Sequence, residues 1–181
     1  MRRATALAVA MAISTTTLGA QSTGGVAPHV AILKTQAETI RALVLRTAEK
    51  VPENLYEFKP TPDVRSMGAL LGHIADGNIL LCGLAGTGKT VVNQSNEKKT
   101  TRADLVTALK ASYAACDQVF DATTDANATT PVDLFGQKQT RFGMLAITNS
   151  HMWEHYGNLV TYMRLNKIVP PSSETAPKPG Q

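Results

Sequence analysis

Charge and cysteine are both scarce in this sequence. Charged residues make up 18% of its 181 residues, and 18 Lys and Arg against 14 Asp and Glu leave a formal net charge of +4. So small a surplus of positive charge gives no electrostatic footprint for nucleic acid, and we expect no nucleic-acid partner. The two cysteines are too few for a disulfide scaffold or for a zinc site of four thiolates. Any metal must therefore be held by other side chains.

Long hydrophobic runs are also missing. The apolar stretch at residues 4–13 is about half of the roughly 20 residues that a spanning helix needs. It follows Arg2 and Arg3 and precedes a Ser- and Thr-rich segment ending in small residues, the order typical of a secretory signal peptide. We therefore predict a signal peptide over residues 1–20, a periplasmic or secreted location, and no stable membrane span after cleavage. The alternative is an N-terminal helix that belongs to the fold.

The remaining chain has the periodicity of amphipathic helices. With 43% hydrophobic residues it can build the core of one domain. Ser66 is suited to be an N-cap, and residues 101–104 form a capping-box pattern that begins at Thr101. The last predicted helix follows Thr140, and Pro170 and Pro171 forbid it from continuing. The predicted helices cover residues 28–50, 67–82, 101–120 and 141–166. These features indicate an all-α protein, a four-helix bundle over residues 21–171, followed by a disordered Pro-rich tail at 172–181.

The connection between the second and third predicted helices, residues 83–100, is unusually long. At about 3.3 Å per residue it can run the length of a helix, so these two helices can be parallel. Parallel packing would place Cys82 and Cys116 at similar heights, where export would let them form a disulfide. The alternative is a pair of small, buried free thiols. Residues 131–139 are expected to form a short extended excursion before the last helix.

The segment from Gly83 to Thr90 matches the phosphate-binding P-loop pattern. In a P-loop, Lys89 would reach the terminal phosphates and Thr90 would bind magnesium, but a strand must enter the loop and a helix must leave it. Here a polar run follows Thr90, and the alternating strands and helices of a nucleotide-binding fold are missing. We interpret the segment as part of a glycine-rich crossover loop and expect no nucleotide binding.

The spacing of the histidines is less conspicuous than the P-loop pattern, but it points to a function more specifically. His151 and His155 are four residues apart on the fourth predicted helix, so their rings point the same way and can share one ion. His73, on the second predicted helix, could supply a third ligand across the bundle. Three neutral imidazoles would leave open positions for water and substrate, as in a catalytic metal site.

Two carboxylates and one further histidine near this pattern need separate interpretations. Glu154 completes a His-x-x-Glu-His motif, but an inverted zinc peptidase would need a downstream glutamate, and only Glu174 in the tail remains. We therefore interpret Glu154 as an acid–base or supporting carboxylate, the alternative being a solvated helix face. Asp76, one turn after His73, is equally ambiguous. His29 is expected at the surface.

Five segments of the sequence carry a resemblance: Leu71–Asp76, His151–Leu159, Tyr162–Leu165, Phe58–Pro62 and Val64–Ser66. With them the chain resembles the DinB-like family over most of its length, from about Leu33 to Ser173. The resemblance implies a four-helix bundle with a long crossover and a divalent-metal site at His73, His151 and His155, with zinc or nickel expected. It also implies a small-molecule substrate and a low-molecular-weight thiol as cosubstrate.

Two classes of function remain open from the sequence. The first is a metal-dependent enzyme, of the transferase or hydrolase type, in which the ion lowers the pKa of a bound thiol or water. The second is a non-catalytic metal-binding or stress-related bundle. The oligomeric state stays open between a monomer and a homodimer.

Overall fold

The computed structural model describes residues 27–90 and 95–174, and the predicted signal peptide at 1–20 lies outside these residues. Within them the chain forms four α-helices and one β-hairpin, so the predicted all-α bundle is confirmed. The helices are α1 (Pro28–Lys50), α2 (Met67–Thr87), α3 (Arg102–Asp121) and α4 (Arg141–Leu165). The hairpin strands are β1 (Pro131–Leu134) and β2 (Gln137–Thr140). Short 3-10 turns lie at Glu53–Leu55, Asn96–Lys98 and Pro171–Ser173.

Local sequence signals set the starts of three helices. The side-chain oxygens of Ser66, Thr101 and Thr140 each accept a hydrogen bond from the backbone N–H three residues later. These bonds satisfy donors that the first helical turn leaves without a partner. The helix starts predicted at Ser66, Thr101 and Thr140 are therefore confirmed.

The end predicted for α2 was wrong. The helix continues past Cys82 to Thr87 and ends at Gly88, whose φ of 69° is the left-handed conformation that glycine adopts easily. Leu84 and Ala85 are buried, and packing of this last turn outweighs the weak helix propensity of the glycines around it. Most of the P-loop-like segment is therefore helix, with its amides committed to helical hydrogen bonds.

The directions of the helices follow from the contacts between them. α2 packs against α3 and α4, and α1 packs against the same two helices from the opposite corner. Lys34, near the start of α1, pairs with Asp121 at the end of α3, and Arg141, at the start of α4, donates to the carbonyl of Gly86 at the end of α2 (3.0 Å). α1 is thus antiparallel to α3, and α4 is antiparallel to α2.

A disulfide joins the parallel helices α2 and α3. Cys82 and Cys116 are bonded, with their Cα atoms 5.2 Å apart and a sequence separation of 34. Both residues are at equivalent heights, each near the later part of its helix, and both are buried. Of the two alternatives left open by the sequence, the structure has the disulfide.

The crossover between α2 and α3 is fastened along the side of α2. The Asp76 carboxylate accepts hydrogen bonds from the backbone N–H of Asn96 (3.1 Å) and of Glu97 (3.2 Å), and from the Asn96 side-chain amide (2.6 Å). Burial raises the pKa of Asp76, although these donors oppose that rise. Gly72 lets the chain pass close, since a Cβ there would lie 2.2 Å from the Asn96 carbonyl oxygen. Asp76 is therefore a structural anchor.

Replacing Gly72 with alanine should displace this crossover. The new methyl group would overlap backbone atoms, and overpacking of this kind costs about 1–3 kcal/mol of unfolding free energy. Gly157→Ala is the matched control, because a Cβ at this α4 position meets nothing within 4 Å. Chemical denaturation should show destabilisation by G72A and no loss for G157A. Equal stability of G72A and the unsubstituted protein would contradict the close approach.

The extended segment expected at residues 131–139 is a two-stranded β-hairpin in the structure. Its strands are antiparallel, and Leu134 pairs with Gln137 around a two-residue turn. Both turn residues have positive φ, 53° at Phe135 and 87° at Gly136. The Asp133 carboxylate accepts a hydrogen bond from the Gly136 N–H (2.8 Å). The turn therefore holds an aromatic residue in a conformation that favours glycine or asparagine.

The first three residues of the predicted disordered tail, 172–174, are ordered in the structure. Ser172 and Ser173 lie in a 3-10 turn, and the Ser172 N–H donates to the Tyr156 hydroxyl (3.0 Å). Glu174 forms ion pairs with Arg46 and Lys50 of α1. Partners distant in sequence thus hold residues 172–174, whereas residues 175–181 lie outside the described part of the chain.

By length and composition alone, α2 could cross a membrane. The apolar window responsible is 67% buried inside the bundle, as is usual for the core helix of a helical domain.

Candidate metal centre

Three histidine side chains from two helices converge on one point. The Nε2 atom of His151 lies 3.3 Å from Nε2 of His73 and 3.1 Å from Nε2 of His155. His73 comes from α2, and the other two come from successive turns of α4. One ligand atom from each histidine lies within 4.8 Å of the others, so the group could hold a metal ion.

The spacing of these nitrogens fits ligands that share one ion. Two nitrogens bonded to zinc at about 2.0–2.1 Å lie about 2.9 Å apart at a right angle and about 3.3 Å apart at the tetrahedral angle. The observed separations of 3.1 and 3.3 Å lie within this range. Among the described residues the group contains three donors, one fewer than the four ligands of a tetrahedral zinc site.

The approach of α4 to α2 at this point depends on a small residue. A Cβ at Gly77, one turn after His73, would lie 2.3 Å from Cε1 of His151. The His151 ring therefore occupies the space that a larger residue on α2 would fill.

The electrostatic environment favours neutral imidazoles. Burial, with smaller contributions from His155 and His73, lowers the pKa of His151 to about 3. Burial also lowers the pKa of His155, again with a contribution from His73. Neutral imidazole is the form that binds a metal ion.

Glu97 orients the third histidine, and sequence reasoning missed it. Its carboxylate lies 2.5 Å from Nδ1 of His73 and also pairs with the Arg65 guanidinium (3.1 Å). Burial alone would raise the pKa of Glu97, but Arg65 and His73 together bring it below the usual value. An ionised carboxylate at Nδ1 keeps the proton there, so Nε2 of His73 presents its lone pair to the other histidines.

The remaining candidates from the sequence lie outside the histidine group. Glu154 is exposed on α4, and it borders a large cavity that His155 also lines. His29 is exposed near the start of α1. Asp76 fastens the crossover, as described above.

Two cavities meet at the histidines. One, of about 1090 Å³, is open and polar, and its walls include Arg65, Glu154, His155 and Tyr162. The other, of about 260 Å³, lies between α2, α4 and the hairpin, with His73 and His151 in its wall. Glu97 borders both cavities. Small molecules could therefore approach the site from two sides.

Comparison with known proteins decides the family. The sequence profile of the DinB superfamily matches residues 36–159, most of the chain. The chain belongs to the DinB superfamily. No curated protein matches the chain at a significant level.

Solved structures of similar fold agree with this assignment. A DinB-like protein from Bacillus subtilis is 24% identical, with a TM-score of 0.62, and the match covers 80% of this chain and 99% of that one. A DinB-like protein from Bacillus cereus is 18% identical, with a TM-score of 0.67 and coverage of 77% and 93%. A mycothiol-dependent maleylpyruvate isomerase is 18% identical, with a TM-score of 0.61 and coverage of 72% and 60%. At identities below 25%, these similarities show that the chain shares the fold of the three proteins, and they show nothing more.

Proposed function

We propose that this protein is an exported, metal-dependent enzyme that acts on a small molecule, of the thiol-dependent S-transferase or hydrolase type. The observation that carries the proposal is the convergence of three Nε2 atoms beside two cavities. A metal-binding bundle without catalytic activity is the competing function.

The proposed metal ligands are His73, His151 and His155, and zinc or nickel is the ion that we propose. Three imidazole nitrogens suit either of these cations. When bound, such an ion lowers the pKa of a coordinated thiol or water, so that a nucleophile is available at neutral pH. Glu97 would hold His73 in the binding tautomer, and Arg65 would hold Glu97.

The proposed substrates are small molecules, with a low-molecular-weight thiol as cosubstrate. Support comes from the similarly folded isomerase, whose name says that it depends on mycothiol. Glu154 is the proposed acid–base residue, because it lines the same cavity as His155. Nucleic acid and membranes are not among the proposed partners. All three histidines come from one chain, so the site is complete in a monomer or in a homodimer.

Export is the proposed location, periplasmic or secreted. The leader-like residues 1–20 support it, as does the Cys82–Cys116 disulfide, since disulfides persist mainly in oxidising compartments.

The proposal is tested with the mature chain, residues 21–181, loaded with zinc or nickel. We would assay a panel of low-molecular-weight thiols against 1-chloro-2,4-dinitrobenzene, in which the sulfur displaces chloride and the thiol proton is released. A second assay would follow hydrolysis of small esters. Turnover that requires the metal supports an enzyme. Tight metal binding without turnover in either assay would favour the non-catalytic bundle.

Replacing Glu97 and Glu154 with glutamine should have different effects, the first on metal affinity and the second on the pH dependence of turnover. Glu97→Gln removes the charge that fixes His73, and loss of such a partner typically weakens metal affinity by about 10–100-fold. Glu154→Gln should leave metal affinity unchanged and alter the pH dependence of turnover. Metal titration by calorimetry and pH–rate profiles separate the two effects. If E97Q bound metal as tightly as the unsubstituted protein, Glu97 would have no role in orienting His73.

A further inference from the structure

The smaller cavity has a wall composition that differs from that of the larger one. Leu80 and Leu81 of α2, Ile147 of α4 and Leu134 of the hairpin line it, and the polar residues in its wall are His73, His151, Asp76 and Glu97. A molecule bound there would have apolar contacts on most sides and candidate metal ligands on one. Its volume of about 260 Å³ exceeds the roughly 150 Å³ of a protein cavity that binds benzene. It is smaller than most drug-sized sites, which begin at about 300 Å³.

Phe135 stands at this cavity in an unusual conformation. The residue is 72% exposed, although it is a large apolar side chain that also lines the cavity. Its φ of 53° is one that side chains bulkier than asparagine seldom adopt. Asparagine before Gly136 would suit this turn better. An exposed aromatic ring in a strained position beside a candidate metal site indicates a role in binding rather than in folding.

We propose that this cavity binds an apolar group about the size of one aromatic ring, attached to the polar head group that contacts the metal, and that Phe135 packs on that apolar group. This inference rests on the proposed function, because it takes the three histidines as metal ligands. It narrows the substrate class to small molecules with a compact aryl or short alkyl group next to a polar, metal-binding head. Charged extensions of such a molecule would lie on the side of the larger, polar cavity.

The test compares two probes that carry the same metal-binding head. Acetohydroxamic acid has a methyl group and benzohydroxamic acid a phenyl ring, and both would be titrated calorimetrically into the zinc-loaded mature protein. Burial of the ring should make benzohydroxamic acid bind on the order of tenfold more tightly or better. Equal affinities would overturn the inference and leave the metal site intact. Failure of both probes to bind metal-loaded protein would also overturn it. Failure of the protein to bind zinc would instead overturn the proposed function itself.

Two variants test the residues named. Phe135→Asn suits the turn, so it should preserve or raise the melting temperature while it removes most of the preference for the phenyl probe. Ile147→Phe should fill the cavity and weaken benzohydroxamic acid while it spares acetohydroxamic acid. Leu165→Ala is the control, because Leu165 is an exposed apolar residue outside this cavity. A phenyl preference unchanged in both F135N and I147F would contradict the proposal.

Discussion

Replacing His151 with alanine is expected to abolish tight binding of a divalent cation. Its Nε2 atom lies 3.3 Å from that of His73 and 3.1 Å from that of His155, so its loss leaves two of the three candidate ligands. Affinity should fall by more than the roughly 100-fold that loss of a mere supporting residue can cause. Competition with a chromophoric chelator would measure the change.

His29→Ala is the matched control for this experiment. His29 is an exposed histidine on α1, outside the group of three, and its removal should leave metal affinity unchanged. Circular dichroism would establish that both variants keep their helical content. Unchanged metal affinity in H151A would show that the ion binds elsewhere.

Removal of the Cys82–Cys116 disulfide is expected to give the largest loss of stability. The bond closes a loop with a sequence separation of 34 residues. In the chain-entropy account, such a loop corresponds to about 3–4 kcal/mol of unfolding free energy. A domain of this size should then melt roughly 10 °C lower. Denaturation of the Cys82→Ala/Cys116→Ala variant, beside the oxidised protein, measures this difference.

The oxidation state itself needs a separate measurement. The purified protein would be alkylated without reductant, and its mass would be measured by mass spectrometry. We expect no alkylated cysteine among Cys82 and Cys116. Two alkylated cysteines per chain would show that the disulfide does not form, and the argument for the metal site would be unaffected.

The helices were predictable because the signals for them are local. Side chains at Ser66, Thr101 and Thr140 act within one turn, and apolar periodicity marks the buried faces. The end of α2 was missed because burial of Leu84 and Ala85 depends on packing with other helices. The strand pairing around Phe135 likewise depends on contacts that cannot be predicted from the sequence of a short, mostly polar segment.

The candidate site divides in the same way. His151 and His155 are four residues apart on one helix, so their shared direction is visible in the sequence. Glu97 lies in the crossover, 24 residues after His73, within a polar run that shows no periodicity. Its position depends on Asp76, which fastens the crossover to α2. Sequence alone could not distinguish this carboxylate from those on a solvated surface.

The measurement that tests the central claim most directly is anomalous X-ray diffraction at the absorption edge of the loaded metal. Crystals of the mature protein with zinc or nickel should give one anomalous peak among the Nε2 atoms of His73, His151 and His155, at about 2.0–2.2 Å from each. A peak elsewhere on the molecule, or metal-loaded crystals in which the three rings point away from one another, would contradict the account.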